Sequence, residues 1–315
     1  MKRADVKIWF ACNNHCRFCV QWDKRLHYKQ RTVDEIKEIL DREFANWCRW
    51  LVFTWWEPTV HEWLEESLKY AKKLWFIDIQ IQSNWRNFSD MEFLKRLIEA
   101  WATEFSPAIH GYSELVHDDL VWAPWAWKQV IEWIKNLKRL NQLIIINCVI
   151  TKQNYQELPK LALLLCKLGV QQFQFAFVHI LWSADKNKYD VVAKKTDVMP
   201  FVKKALDIGR SYWAVCMTEA IPFCMMEWYE WAIAEYNFMP ETTVVDAEYR
   251  TESYFEYRIK DWKAKRGECN KCIRNNICEW PWKEYVELYW WEEFQPILDE
   301  GNSWKDAWIW IPGIS

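Results

Sequence analysis

The strongest constraint on this chain is an alternation that runs through its first two-thirds. Short runs rich in Val, Ile and Phe, at Val6 to Ala11, Trp50 to Thr54, Phe76 to Gln82, Thr103 to Ile109, Leu143 to Thr151 and Val170 to Ile180, read as six strands. Between them apolar residues recur at helical spacing, at Val33 to Phe44, His61 to Leu74, Met91 to Ala100, Trp127 to Leu140 and Tyr155 to Leu168. Thr32 followed by Glu35 is a capping box that marks where the first helix begins. Such alternation with short connections builds parallel strands joined by right-handed crossovers. It predicts an α/β fold, a partial (βα)6 TIM-like barrel over residues 1–210, with the working residues at the C-terminal ends of the strands. Residues 211–301 are mixed in pattern, rich in aromatics and hold clustered Cys. They read as a small α+β domain that relies on bound metal as well as its own core, with 302–315 as a tail.

Hydrophobic residues make up 51% of the 315, enough for one large core with a smaller appended unit. A net charge of -3 gives no electrostatic reason to expect nucleic acid or a membrane surface as partner. The longest apolar run, near Leu143 to Thr151, is too short to span a bilayer, and Met1 to Ala11 lacks the apolar stretch of a signal peptide. The expected location is therefore cytoplasmic. In that compartment eleven Cys point to metal, cluster or redox chemistry rather than disulfides.

Cys12, Cys16 and Cys19 form C-x3-C-x2-C just after the first predicted strand. Three thiolates on one loop hold three irons of a [4Fe–4S] cluster and leave the fourth iron open for chemistry. Zinc, with His15 as a further ligand, is the alternative, and it fits less well because structural zinc wants four closed ligands. Cys269, Cys272 and Cys278 form C-x2-C-x5-C, with Cys224 upstream in EAIPFC. Four thiolates close a second Fe–S cluster or a zinc site, and Cys216 is an alternative fourth ligand. Cys48, Cys148 and Cys166 lie in apolar surroundings and read as small buried hydrophobes.

The run ACNNHCRFCV, with Phe18 before the third Cys, resembles the cluster loop of the radical S-adenosylmethionine (AdoMet) superfamily. The family's Gly-Gly-Glu-Pro at the end of strand two is matched by Glu57 and Pro58 in LVFTWWEPTV, with Trp55 and Trp56 in place of the two Gly. Ser83 and Asn84 in IQSNWRN match a family Ser-Asn-Gly, with Trp85 in place of Gly. Ala108, in FSPAIHGYSEL, stands where relatives have a cofactor-facing Ser, and Asn147 in INCVIT matches a polar residue near the cofactor. The later Cys group is similar to SPASM and twitch extensions, and its Cys count suits the one-cluster twitch form. The resemblance implies a cluster on Cys12, Cys16 and Cys19 that splits AdoMet and an auxiliary cluster on Cys224, Cys269, Cys272 and Cys278. It also implies an AdoMet site formed by Phe18, Trp55, Trp56, Glu57, Pro58, Ser83, Asn84 and Asn147. The implied activity is that of an oxidoreductase or maturase fed by a ferredoxin or flavodoxin, taking hydrogen from a peptide or a small cofactor precursor. A reading from another class is a non-catalytic Fe–S or zinc-binding electron-transfer or interaction protein, whose clusters would be fully ligated by the chain.

No residue is singled out as catalytic. His110 and His117 flank the fourth strand end, where a hydrogen-bonding structural His is the plainer reading. Glu219 reads as a solvated carboxylate, and Lys24, Arg25 and Lys29 as either a contact for an acidic substrate or a solvated loop.

Twenty-six Trp against six Gly is out of proportion for a fold with so many turns. Trp9, Trp22, Trp50, Trp182, Trp228 and Trp280 join Trp55, Trp56 and Trp85 at sites where relatives commonly have Gly, while Trp282 and Trp291 match family Trp. The excess is positional. It is expected of a gene in which UGA specifies glycine and tryptophan has been written in its place.

Overall fold

The computed structural model describes residues 2–21, 24–54, 57–84, 86, 91–237 and 240–299. Nine strands form one sheet: β1 Lys2–Val6, β2 Cys48–Phe53, β3 Asp78–Ser83, β4 Glu104–Pro107, β5 Leu143–Ile150, β6 Gln172–Phe177, β7 Val215–Glu219, β8 Thr242–Val245 and β9 Arg250–Thr251. Their order is β7-β6-β5-β4-β3-β2-β1-β8-β9, parallel throughout except for the β8–β9 pair. The α/β barrel expectation holds, with the six expected strands extended at both edges. One addition is β7, which continues the parallel order past residue 210, and the other is β8, which returns to the opposite edge beside β1.

The strands carry two different faces. Along β3, β5 and β6 buried residues alternate with part-buried ones. Ile79, Ile81, Ile146, Cys148, Phe173 and Phe175 form the buried set and belong to the core against the helices. The inner set is mixed, with Gln80, Gln82, Glu104, Ser106, Gln172 and Gln174 beside Val52, Ile145 and Val149, and it surrounds a cavity of about 1270 Å³. This explains why β1 starts at Lys2 rather than Val6. Arg3 and Asp5 face the lumen while Ala4 and Val6 are fully buried, so charged residues sit inside a genuine strand. The capping box forms as expected, with Thr32 N–H donating to Glu35 at 2.6 Å and Glu35 N–H to Thr32 Oγ1 at 3.3 Å. Cys48 and Cys148 are wholly buried.

Among the described residues ten tryptophans have left-handed backbone, with φ between 50° and 86°. Their placement follows a rule. The helices Leu64–Lys73, Met91–Glu99 and Lys195–Ser211 are each followed by such a Trp, at 75, 101 and 213. At each helix end its amide bonds back three residues and the next amide bonds back five, as in Phe76 to Ala71 and Ala214 to Gly209. That is the Schellman motif, whose left-handed residue is ordinarily Gly. After the helix Leu158–Lys167 the same bonds are made around Gly169, at φ 74°, and after Ala126–Arg139 around Asn141. Trp75 and Trp213 are 82% and 80% exposed, so the indoles gain little from burial. Trp133, fully buried, and Trp282, 4% exposed, are by contrast absent from the left-handed set. Trp9 and Trp50 also lack left-handed backbone, whereas Trp182, Trp228 and Trp280 have it.

A left-handed conformation costs an L-residue roughly 1–2 kcal/mol. Replacing Trp75, Trp101 and Trp213 by Gly is expected to raise unfolding free energy by about 1 kcal/mol each, read by urea denaturation. Protein isolated from its own organism is expected to weigh kilodaltons less than the all-Trp chain, and an intact mass matching 26 Trp would refute the glycine reading.

Candidate active site

Cys12, Cys16 and Cys19 all open onto the lumen cavity at the C-terminal mouth of the barrel. Their loop is tied down by backbone bonds from His15 to Val121 and from Arg17 to Leu120, both 3.0 Å, and from Ser183 to Cys19 at 3.1 Å. Phe18, 7% exposed, meets the His110 ring edge-on at 4.7 Å. His110 Nδ1 accepts the Val149 N–H at 3.1 Å, and His117 Nδ1 accepts the His110 N–H at 2.9 Å. Burial lowers the His110 pKa to about 3, and burial with the neighbouring His110 lowers that of His117. Burial favours the neutral form of both imidazoles; His110 lines the cavity and His117 holds its backbone from behind.

The Cys12 thiol is pushed up to about 12 by burial first and by the Glu57 carboxylate second. It receives N–H groups from Asn14 backbone at 3.4 Å and Asn84 Nδ2 at 3.2 Å. Such a sulfur fits an iron cluster, whose positive charge supplies what the thiolate lacks in so dry a place. Glu57 itself is fully buried and absent from the cavity wall, as is Pro58. Its carboxylate accepts from Ser83 Oγ and Thr59 Oγ1, from the Asn84 N–H at 2.7 Å and from the Thr59 N–H at 3.1 Å. Burial raises its pKa and these donors oppose the rise. Ser83, Asn84 and Asn147 line the cavity, and Asn147 Oδ1 is buried without a partner among the described residues. Trp55, Trp56, Trp22 and Trp85 lie outside the described residues.

Cys224 lies in a short turn, Phe223–Met225, and Cys269 in another, Gly267–Lys271. The Cys224 thiol is pushed up to about 12 by burial and by Cys278, Cys272 and Cys269, so these four thiols are neighbours. Cys216 stands apart. It is buried on β7 with Cys166 as its thiol neighbour and donates to the Ala214 carbonyl at 3.3 Å. Among the described residues no three His, Cys, Asp or Glu side chains converge as ligands of a single metal ion.

The cavity wall also holds residues that the sequence did not bring forward. Arg258, fully buried on the helix Tyr254–Asp261, pairs with Glu219 at 2.7 Å, Glu279 at 2.8 Å and Glu235 at 3.3 Å. Burial disfavours its charge, but the carboxylates outweigh that and raise its pKa. Glu235 is raised to about 8 by burial and by Glu279. Glu219, read as solvated, is instead held by Arg258 and by Gln174 at 2.5 Å. Lys24 is buried against Asp246 at 3.0 Å and Glu248 at 2.9 Å, whereas Lys29 is exposed.

A half-open parallel barrel mounts a three-cysteine loop at its mouth, over a large cavity. The chain belongs to the radical SAM superfamily, whose profile matches residues 6–165. The family uses a [4Fe–4S] cluster and AdoMet, and its members are enzymes. A curated relative, 7,8-dihydro-6-hydroxymethylpterin dimethyltransferase of Methanocaldococcus jannaschii, is 24% identical over 148 residues, 46% of this chain and 27% of that protein. The match thus spans about a quarter of that relative's length. In fold the chain is similar to SuiB of Streptococcus suis bound to its precursor peptide SuiA, at TM-score 0.66, 14% identity, and coverage of 95% and 75% of the two chains. It is also similar to anSMEcpe with bound AdoMet, at TM-score 0.66, 16% identity, and coverage of 89% and 88%. Among the described residues no helix is long and apolar enough to cross a membrane.

Arg258→Ala removes the cation shared by three carboxylates, of which, among the described residues, only Glu279 keeps another, Lys263 at 3.2 Å. It is expected to cost about 3–5 kcal/mol of stability, measured by urea denaturation, with Arg258→Lys losing less.

Proposed function

We propose that the protein is a radical SAM enzyme of the auxiliary-cluster type, with residues 1–210 as catalytic core and 211–301 as the auxiliary unit, acting on a peptide or a small cofactor precursor. The observation that carries this is one cavity whose wall includes Cys12, Cys16 and Cys19 at one end and Glu279, adjacent to Cys278, at another. When bound, the open-iron cluster supplies reductive cleavage of AdoMet to a 5′-deoxyadenosyl radical that takes hydrogen from the substrate. The chain's part is placement and exclusion. Phe18 and His110 close the wall beside the cluster loop, Asn147 offers an unmatched acceptor, and Arg258 with its carboxylates forms the wall by the second thiol group. The peptide side of the proposal is supported by the precursor peptide held in the similarly folded SuiB, and the small-molecule side by the pterin named for the curated relative. The electron donor is a ferredoxin or flavodoxin, and the enzyme works in the cytoplasm.

Anaerobic reconstitution is expected to give about eight irons per chain, two [4Fe–4S] clusters, and dithionite is expected to yield 5′-deoxyadenosine from AdoMet. Cys12→Ala abolishes cleavage and about half the iron, Cys224→Ala removes the other half, and Cys216→Ala removes none. Loading of about four irons without cleavage overturns the proposal.

A further inference from the structure

Hydrogen bonds from the ends of β2 and β3 hold the start of the cluster loop, and one of them reaches the sulfur of its first cysteine. The Glu57 carboxylate is buried, does not line the cavity, and spends its acceptor capacity on Ser83, Thr59 and the Asn84 backbone. The Asn84 N–H is thereby pinned at 2.7 Å. Its carboxamide then points at the loop, donating to Cys12 Sγ at 3.2 Å and to Asn13 Oδ1 at 2.8 Å. Arg86, two residues on, closes the same junction by donating to the Asn13 carbonyl and, at 3.4 Å, to Asn14 Oδ1. The Glu57 N–H in turn donates to the Ala11 carbonyl at 3.2 Å, so the residue before Cys12 is held from the same side.

We infer that Glu57 and Asn84 are a positioning pair for the Cys12 sulfur and that Asn84 sets the reduction potential of the cluster held there. The inference rests on the radical SAM reading of the Cys12, Cys16 and Cys19 loop and deepens it. It gives these two residues a task different from direct contact with AdoMet. Hydrogen bonds to cluster sulfurs stabilise the extra negative charge of the reduced state and raise the potential. Outer partners of this kind orient metal ligands and tune them. Asn84 is suited to the task because its backbone is immobilised by a buried carboxylate, so the side-chain amide loses little freedom on reaching the sulfur.

The test compares Asn84→Ala, Asn84→Asp and Asn84→Gln with the parent protein, each reconstituted anaerobically without AdoMet. Midpoint potentials come from spectroscopic redox titration, and iron is counted per chain. Ala removes the amide, Asp keeps its shape without the donor, and Gln keeps the donor. The expected result is that Ala and Asp either shift the potential of the Cys12 cluster to more negative values or fail to hold it. Gln is expected to restore loading and move the potential back toward the parent value, with iron at the later Cys group unchanged in all three. Full loading at the parent potential in Ala and Asp overturns the inference, as does failure of Gln to differ from them. Absence of any cluster on the Cys12 loop of the parent protein overturns the radical SAM reading instead, so the two failures are distinguishable.

Discussion

The two edges of the nine-stranded sheet are linked through a buried guanidinium. β7 ends one edge and β9 the other, and the helix Tyr254–Asp261, which packs on β8, carries Arg258 across to Glu219 on β7. Glu235 and Glu279 complete the ring of charge around it. A buried cation of this kind is not a source of net stability, since desolvation offsets the attraction. It gives geometry. Arg presents a rigid fork to several carboxylates at once, so the gap in the barrel closes in one arrangement. The cavity wall by the second thiol group depends on that closure, because Glu279 adjoins Cys278.

The row of inward polar side chains is the second organising fact. A barrel interior normally fills with Val, Ile and Leu in layers. Here Gln80, Gln82, Gln172, Gln174, Glu104 and Ser106 project inward beside Val52, Ile145 and Val149, and a cavity remains within the strands' own circle. The same choice hid parts of the fold from the sequence. β1 lies before the expected Val6 to Ala11 because Arg3 and Asp5 read as loop residues when their lumen-facing register is unknown. β7 was missed because VCMTE is short and sits among aromatics without clear period. The other strands were legible from their Val, Ile and Phe content, and the first helix start from Thr32 and Glu35.

The candidate site was legible unevenly. The Cys spacings and the Glu57, Ser83 and Asn84 landmarks marked which strand ends matter, because those residues are contiguous in sequence. Arg258, Glu235 and Glu279 were not legible, since their partners are 39, 23 and 21 positions apart in the chain and only tertiary packing brings them together. Glu57 shows a subtler limit. Its position at a strand end was evident, but the direction of its carboxylate follows from Ser83 and Thr59, which no linear motif expresses.

The turns that return each helix to the next strand lie at the end of the barrel opposite the cluster loop, and Trp47, Trp75, Trp101 and Trp213 stand there beside Asn141 and Gly169. With indoles, that floor is a ring of projecting aromatic plates around an otherwise ordinary surface, a ready site for one molecule to stick to the next. With glycine it is bare backbone. Whether that floor is adhesive or bare follows from which residue stands at these left-handed turns, not from surface charge.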